Sequence, residues 1–221
     1  YDAFSGGQVD ADAIRAFVQH AYHHWPTPQP YYLLLVGDGS FDVRNRLGNS
    51  NPTFIPPYLK LVDPWLAEVP SENAFVTVAG DDYLPDLLEG RLPVASVAEA
   101  TAQVAKILAY ESAPDGPWRE RLLFVSDDAD SGGDFYGLSD AIVNGDVPAR
   151  YTVDKAYYKQ NYSSVTDMRS AMLAGLQQGY LLVQYVGHGQ PQNWAAEGLL
   201  RSVDTAGLRN AAALPVWLEW T

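Results

Sequence analysis

The chain opens with a helical rhythm. In "VDADAIRAFVQHAYHH" (Val9 to His24), Ile14, Phe17, Val18 and Tyr22 form an apolar stripe at helical spacing. Asp10 or Asp12 supplies a cap, and "WPTPQP" (Trp25 to Pro30) ends the helix, because proline cannot continue it. The rhythm then changes. "YYLLLVG" (Tyr31 to Gly37) is an unbroken apolar run, which predicts a strand buried on both faces of a parallel sheet. It ends in "GDGSFD", a tight acidic loop at the strand's carboxyl end, the edge where open α/β sheets collect their sites. "RNRLGNSNPTFIPPYLKLVDPW" is rich in Pro, Asn and Gly and predicts an excursion loop. "ENAFVTVAGDDYLPDLLEGRLPV" predicts a short strand, an acidic turn, and a second short strand at Gly90 to Val94. "SVAEATAQVAKILAYES" is a helix opened by a capping box, Ser96 with Glu99 three residues on.

"APDGPW" (Ala113 to Trp118) reads as a linker, and a β–α alternation follows it. The strands are "RLLFVS", "RYTVDKAYY", "YLLVQYVG" and "LPVWLEWT"; the helices are "FYGLSDAIVNG" and "SVTDMRSAMLAGLQQG". Ser164 caps the last helix and Gly179 stops it. Strands that alternate with helices argue for parallel βαβ units with right-handed crossovers. The expected organisation is an N-terminal α/β subdomain over 1–113, partial in extent, and a second α/β subdomain over 115–221.

Composition narrows the function. The 221 residues carry a formal net charge of −13, with only 14 Lys plus Arg, so no basic patch exists to drive nucleic-acid binding. No apolar run reaches the ~18 residues of a membrane span. There are no cysteines, which removes disulfides, thiolate metal sites and a cysteine nucleophile from these residues. The chain begins at Tyr1 without a signal-like segment, and reads as a piece of something longer or a processed product. No pattern specifies an oligomeric state.

The chemistry concentrates at strand ends. His188 stands between Gly187 and Gly189 where an apolar strand stops. Histidine exchanges protons near neutrality, and flanking glycines permit close approach. A loop histidine bonded to a carbonyl is the bland alternative. "VSDDADSGGDF" crowds Asp127, Asp128, Asp130 and Asp134 into one strand-end loop. A carboxylate there could orient the imidazole, could help to hold Ca²⁺, or could simply favour the following helix's N-terminus. Asp81 and Asp82 in "GDDYLPD" are further candidate Ca²⁺ ligands, with Asp127 and Asp130. No EF-hand pattern is present, and no phosphate loop or Gly-x-Ser-x-Gly elbow. His20, His23 and His24 sit at a helix end, where a cation suits the macrodipole; "HxxHH" could also ligate a metal, although no carboxylate or cysteine stands beside it.

The segments "YYLLLVGDGSFD", "IPPYL", "SENAFVTVAGDD", "LPDLLEGRLPV" and "LLVQYVGHGQPQNWA", in this order, resemble the gingipain-type cysteine peptidases. The resemblance runs from about Tyr31 to Thr221, and Gly-His-Gly followed by Trp194 is its most specific part. It implies a caspase-like fold, with a parallel sheet flanked by helices and preceded by a smaller α/β subdomain. It implies a secreted or cell-surface bacterial protein that cleaves polypeptides with a Cys–His pair and requires no cofactor. His188 matches the family's catalytic histidine. Its acidic partner falls in the loop after "RLLFVS", with Asp128 the first choice and Asp127 the second. Gly189 contributes a backbone N–H to an oxyanion hole, and Trp194 flanks the substrate cleft. The strand "LPVWLEWT" matches the one whose next residue is the nucleophilic cysteine, so the nucleophile is expected immediately after Thr221. A non-catalytic structural or adhesion domain and a transpeptidase-like sorting enzyme are the alternatives. The family's best-known members cut after basic residues; Asp134 and Asp140 are spare carboxylates that such a pocket could use.

Overall fold

A computed structural model describes residues 1–48, 53–63, 67–210 and 212–221. It divides into two compact units, Tyr1–Ala105 and Lys106–Thr221.

In the first unit, α1 (Asp2–Ser5) and α2 (Ala11–His24) lead to β1 (Tyr32–Val36). Asp10 caps α2 by accepting the Asp12 N–H. Next come β2 (Leu59–Asp63), β3 (Ala67–Pro70), α3 (Asn73–Val76), β4 (Leu88–Leu92) and the start of α4 (Val97–Glu111). β1 pairs in parallel with β4, and β2 pairs antiparallel with β3. A small core gathers Val18, Val76, Val78 and Leu87, with Ile14, Tyr22 and Leu33 against it.

Three expectations change here. The predicted excursion loop contains β2, because alternating "LKL" can pair with "AEVP" in a hairpin; positions 49–52 and 64–65 of that loop lie outside the described residues. "NAFV" forms a helical turn in place of a strand. β1 is not buried on both faces: Leu35 is 5% exposed, but Tyr32 is 73% and Leu34 61% exposed. Among the described residues, β1 has one strand neighbour, and the side facing Leu33 and Leu35 is the covered one. Arg91, from the Gly-Arg-Leu-Pro run, has a structural task. Its guanidinium donates to both Glu72 carboxylate oxygens and to the carbonyls of Gly37 and Ile55, holding the loop after β1 onto β4.

The second unit takes in the end of α4, so the division falls inside that helix, ahead of the linker suggested by composition. Tyr110 packs edge-on against Trp118, which ties the helix end to the second unit's own first turn. Then follow β5 (Arg121–Ser126), α5 (Phe135–Gly145), β6 (Thr152–Tyr157), α6 (Val165–Gln178), β7 (Leu182–Val186), the short pair β8 (Gly189–Gln190) and β9 (Asn193–Trp194), and β10 (Val216–Trp220). β10, β7, β5 and β6 lie in that order in one parallel sheet. β5 is central, and Leu122 to Ser126 are all buried. Its side chains alternate between two cores. Leu123 and Val125 join Val183 and Tyr185 beneath Met168, Met172 and Leu176 of α6. Leu122 and Phe124 join Tyr157 beneath Tyr136, Ile142 and Val143 of α5. Each fully buried Leu, Phe or Met contributes roughly 1.5–3 kcal/mol. This is the parallel sheet flanked by helices expected from the sequence. Among the described residues, no helix is long and apolar enough to cross a membrane.

Candidate active site

β5 and β7 are in register, Val125 beside Tyr185 and Ser126 beside Val186. One residue further on, pairing continues: the Asp127 N–H donates to the Val186 carbonyl at 3.1 Å. Asp127 therefore sits beside Gly187. A Cβ on Gly187 would lie 2.5 Å from the Asp127 Cβ and 2.6 Å from the Tyr185 hydroxyl oxygen. Only glycine allows the chain to pass there, and His188 follows immediately.

The His188 imidazole is held at Nδ1, which lies 3.1 Å from Asp127 Oδ2. The same oxygen accepts the His188 backbone N–H at 3.4 Å. Asp127 Oδ1 accepts the Asp128 N–H at 2.9 Å. Asp127 is buried, with 5% of its side chain exposed, while His188 is 50% exposed. A buried carboxylate this well bonded fixes the proton on Nδ1 and leaves Nε2 at the surface for chemistry. Nε2 lies 3.8 Å from Asp130 Oδ2. The Phe135 ring meets the imidazole edge to face at 5.2 Å.

The turn carrying His188 is braced from below. The His188 carbonyl accepts the Tyr185 hydroxyl at 2.9 Å and the Ala195 N–H at 2.7 Å. Tyr185 stacks flat on Trp194, with centroids 4.2 Å apart and planes 2° apart, and Trp217 of β10 packs against Trp194. Burial, then the charges of Asp127, Glu197 and Glu219, raise the Tyr185 phenol well above its ordinary value, so it stays a donor. β10 reaches the same edge. Trp220 pairs with Val186, its carbonyl accepts the Gly187 N–H at 3.1 Å, and Thr221 lies against Gly189. A Cβ on Gly189 would come 3.0 Å from the Thr221 Cβ.

A family model described as peptidase family C25 matches residues 1–221. The chain belongs to peptidase family C25. Its fold is similar to that in the crystal structure of the Arg-specific cysteine proteinase gingipain R, with a TM-score of 0.74 and 21% identity over 99% of this chain. The chain spans 46% of that chain's length. No curated protein matches it.

In this C25 chain, the residues expected from the sequence meet different fates. Asp127, the second choice, faces His188; Asp128, the first choice, has its carboxylate grouped with those of Asp127 and Glu197, their ligand atoms within 4.8 Å of one another. Trp194 is 8% exposed, joins the core and supports the turn through Tyr185. The candidate Ca²⁺ ligands belong to two separate loops. Asp81 and Asp82 lie in the first unit, Asp127 and Asp130 in the second. Among the described residues, the acidic group with converging oxygens is Asp127, Asp128 and Glu197, and Asp127 already serves His188. Asp82 caps its own turn by accepting the Leu84 N–H. Asp134 caps α5, and Asp140 binds Lys155 and Tyr157. Sequence reasoning missed Tyr185, Phe135, Gly132 and Glu197. Strand alternation could have flagged Tyr185, which points to the same side as the Gly187 gap. Gly132 follows from packing alone: a Cβ there would be 3.1 Å from His188 Nε2.

Proposed function

We propose that the protein carrying this chain is a cysteine endopeptidase that hydrolyses polypeptides, with His188 as general base and acid and with its nucleophilic thiol on the residue after Thr221. The observation that carries the reading is the His188–Asp127 pair beside the end of β10, where Thr221 packs on Gly189. Adjacent strands of a sheet lie about 4.8 Å apart, which supports a thiol on the next residue as the proposed partner of Nε2. Membership in a peptidase family supports the same chemistry.

In this reading, Nε2 removes the thiol proton and Asp127 stabilises the resulting imidazolium through Nδ1. The thiolate adds to the scissile carbonyl carbon. Nε2–H then protonates the leaving amine as the C–N bond breaks, which leaves an acyl-enzyme that water hydrolyses. The N–H of Gly189 is the proposed oxyanion donor, supported by its position against Thr221. Export from the producing cell belongs to the proposal, as the gingipain resemblance implies.

The test uses the full-length protein and a thiol-reactive peptide probe. Labelling that maps to the residue after Thr221 and falls sharply in His188→Ala is the expected result. Absence of labelling in the wild-type protein, or equal labelling in the variant, overturns the proposal and leaves the non-catalytic reading.

A further inference from the structure

The geometry points to a transition-metal site on the last two turns of α2, formed by His20 and His24. Residues four apart on a helix share one face. Here the two imidazoles stack, with centroids 4.4 Å apart and planes 16° apart, and both residues are exposed. The His24 Nδ1 lies 2.9 Å from the His20 carbonyl oxygen. A carbonyl can only accept, so in the neutral ring Nδ1 carries the proton and Nε2 keeps its lone pair. That is the arrangement of a ligating histidine, whose second nitrogen donates to a carbonyl and so fixes tautomer and ring plane. Phe4 packs 6.2 Å from the His20 ring and narrows its freedom.

The surroundings favour a cation. The site is at the helix C-terminus, where the macrodipole is negative, on a chain of formal net charge −13. Two imidazoles without a carboxylate select Zn²⁺, Ni²⁺ or Cu²⁺ over Ca²⁺ or Mg²⁺, with water completing the coordination. Metal–nitrogen bonds of about 2.0–2.1 Å set two ligand nitrogens roughly 3 Å apart, so binding an ion requires the exposed rings to turn from their stacked arrangement. His23 is not a member. Its ring lies 6.5 Å from that of His24, at 84° to it, and packs edge-on against Tyr22. The bound ion would clip the last turn of α2 just before the chain turns at Trp25. This inference is independent of the peptidase reading.

The experiment titrates tag-free, chelator-stripped full-length protein with Zn²⁺ and, separately, Ni²⁺. Calorimetry measures affinity and the histidine ring signals in NMR identify the ligands. Saturable binding with shifts in the His20 and His24 rings is expected, weakened roughly tenfold or more in His20→Ala and in His24→Ala. His23→Ala and His188→Ala retain the wild-type affinity. Wild-type protein with no saturable binding, or equal affinity in His20→Ala and His24→Ala, overturns the site. So does a loss in His23→Ala matching that of the other two.

Discussion

Asp127→Asn tests the site at its most constrained point. The aspartate accepts three N–H groups while buried: Asp128 N–H on Oδ1, and His188 N–H and Nδ1–H on Oδ2. Asparagine has one acceptor oxygen and one NH₂. With the oxygen toward His188, the NH₂ meets the Asp128 N–H. With the oxygen toward Asp128, the NH₂ meets the His188 N–H and forces Nδ1 to accept, which moves the ring proton to Nε2. Either orientation leaves a donor unsatisfied, at about 1–3 kcal/mol of stability. In the proposed mechanism the second also occupies the nitrogen that takes the thiol proton, and both remove the buried charge that would stabilise the imidazolium. The expected loss in kcat/KM is about 10³–10⁴-fold, the scale for this change in a hydrolase triad. Asp128→Asn, whose carboxylate does not touch the imidazole, changes kcat/KM by roughly threefold at most. The assay is peptide hydrolysis by full-length protein across the pH range, with thermal unfolding in parallel. Wild-type kcat/KM in Asp127→Asn, or a larger loss in Asp128→Asn, refutes the assignment.

Gly132→Ala, whose Cβ would lie 3.1 Å from His188 Nε2 and 3.1 Å from Asp130 Oδ1, lowers kcat/KM by roughly tenfold with little change in melting temperature; an unchanged rate counts against the turn as a wall of the site. Arg91→Ala leaves Glu72 unpaired beside two carbonyls and costs about 2–3 kcal/mol in denaturant unfolding; a cost under about 0.5 kcal/mol refutes the anchoring role. Burial first, then the carboxylates of Asp140 and Asp154, raise the Tyr157 and Tyr180 phenols above their ordinary value, and burial raises Tyr185. The folded state therefore holds these protons longer than the unfolded state, whose phenols ionise near pH 10. Stability from the three is complete below about pH 10 and falls as pH rises above it. Phenolate absorbance should show them titrating only with unfolding; smooth titration of all 14 tyrosines in folded protein contradicts this.

The histidine was legible because it combines an apolar strand, a glycine on each side and a chemistry-bearing side chain in four letters. Its partner was not. Asp127 and Asp128 are adjacent, and in an extended chain adjacent side chains point to opposite faces, so a one-residue error in the strand's end exchanges them. The register settles the matter: the Asp127 N–H still bonds to Val186, so Asp127 continues the face of Val125, toward the space that Gly187 leaves open. Trp194 shows the converse. Its place in the motif suggested a substrate contact, but a residue that supports the His188 turn from beneath is tied to that turn as closely as one that would touch substrate. Only stacking partners and exposure separate the two roles, and neither is written in spacing.

The two apolar runs that feed the strand ends make the same point about burial. "YLLLV" in β1 and "LLFVS" in β5 read alike, yet Tyr32 and Leu34 are exposed while Leu122 to Ser126 are all covered. The difference is the number of neighbours among the described residues: β5 lies between β6 and β7 with a helix on each face, and β1 pairs with β4. Composition states what a strand can bury; the sheet around it decides how much it does. His188 and Asp127 gain their fixed geometry from the fully surrounded case, at the ends of the two buried central strands. Their positions are therefore set by core packing that a surface substitution cannot easily disturb.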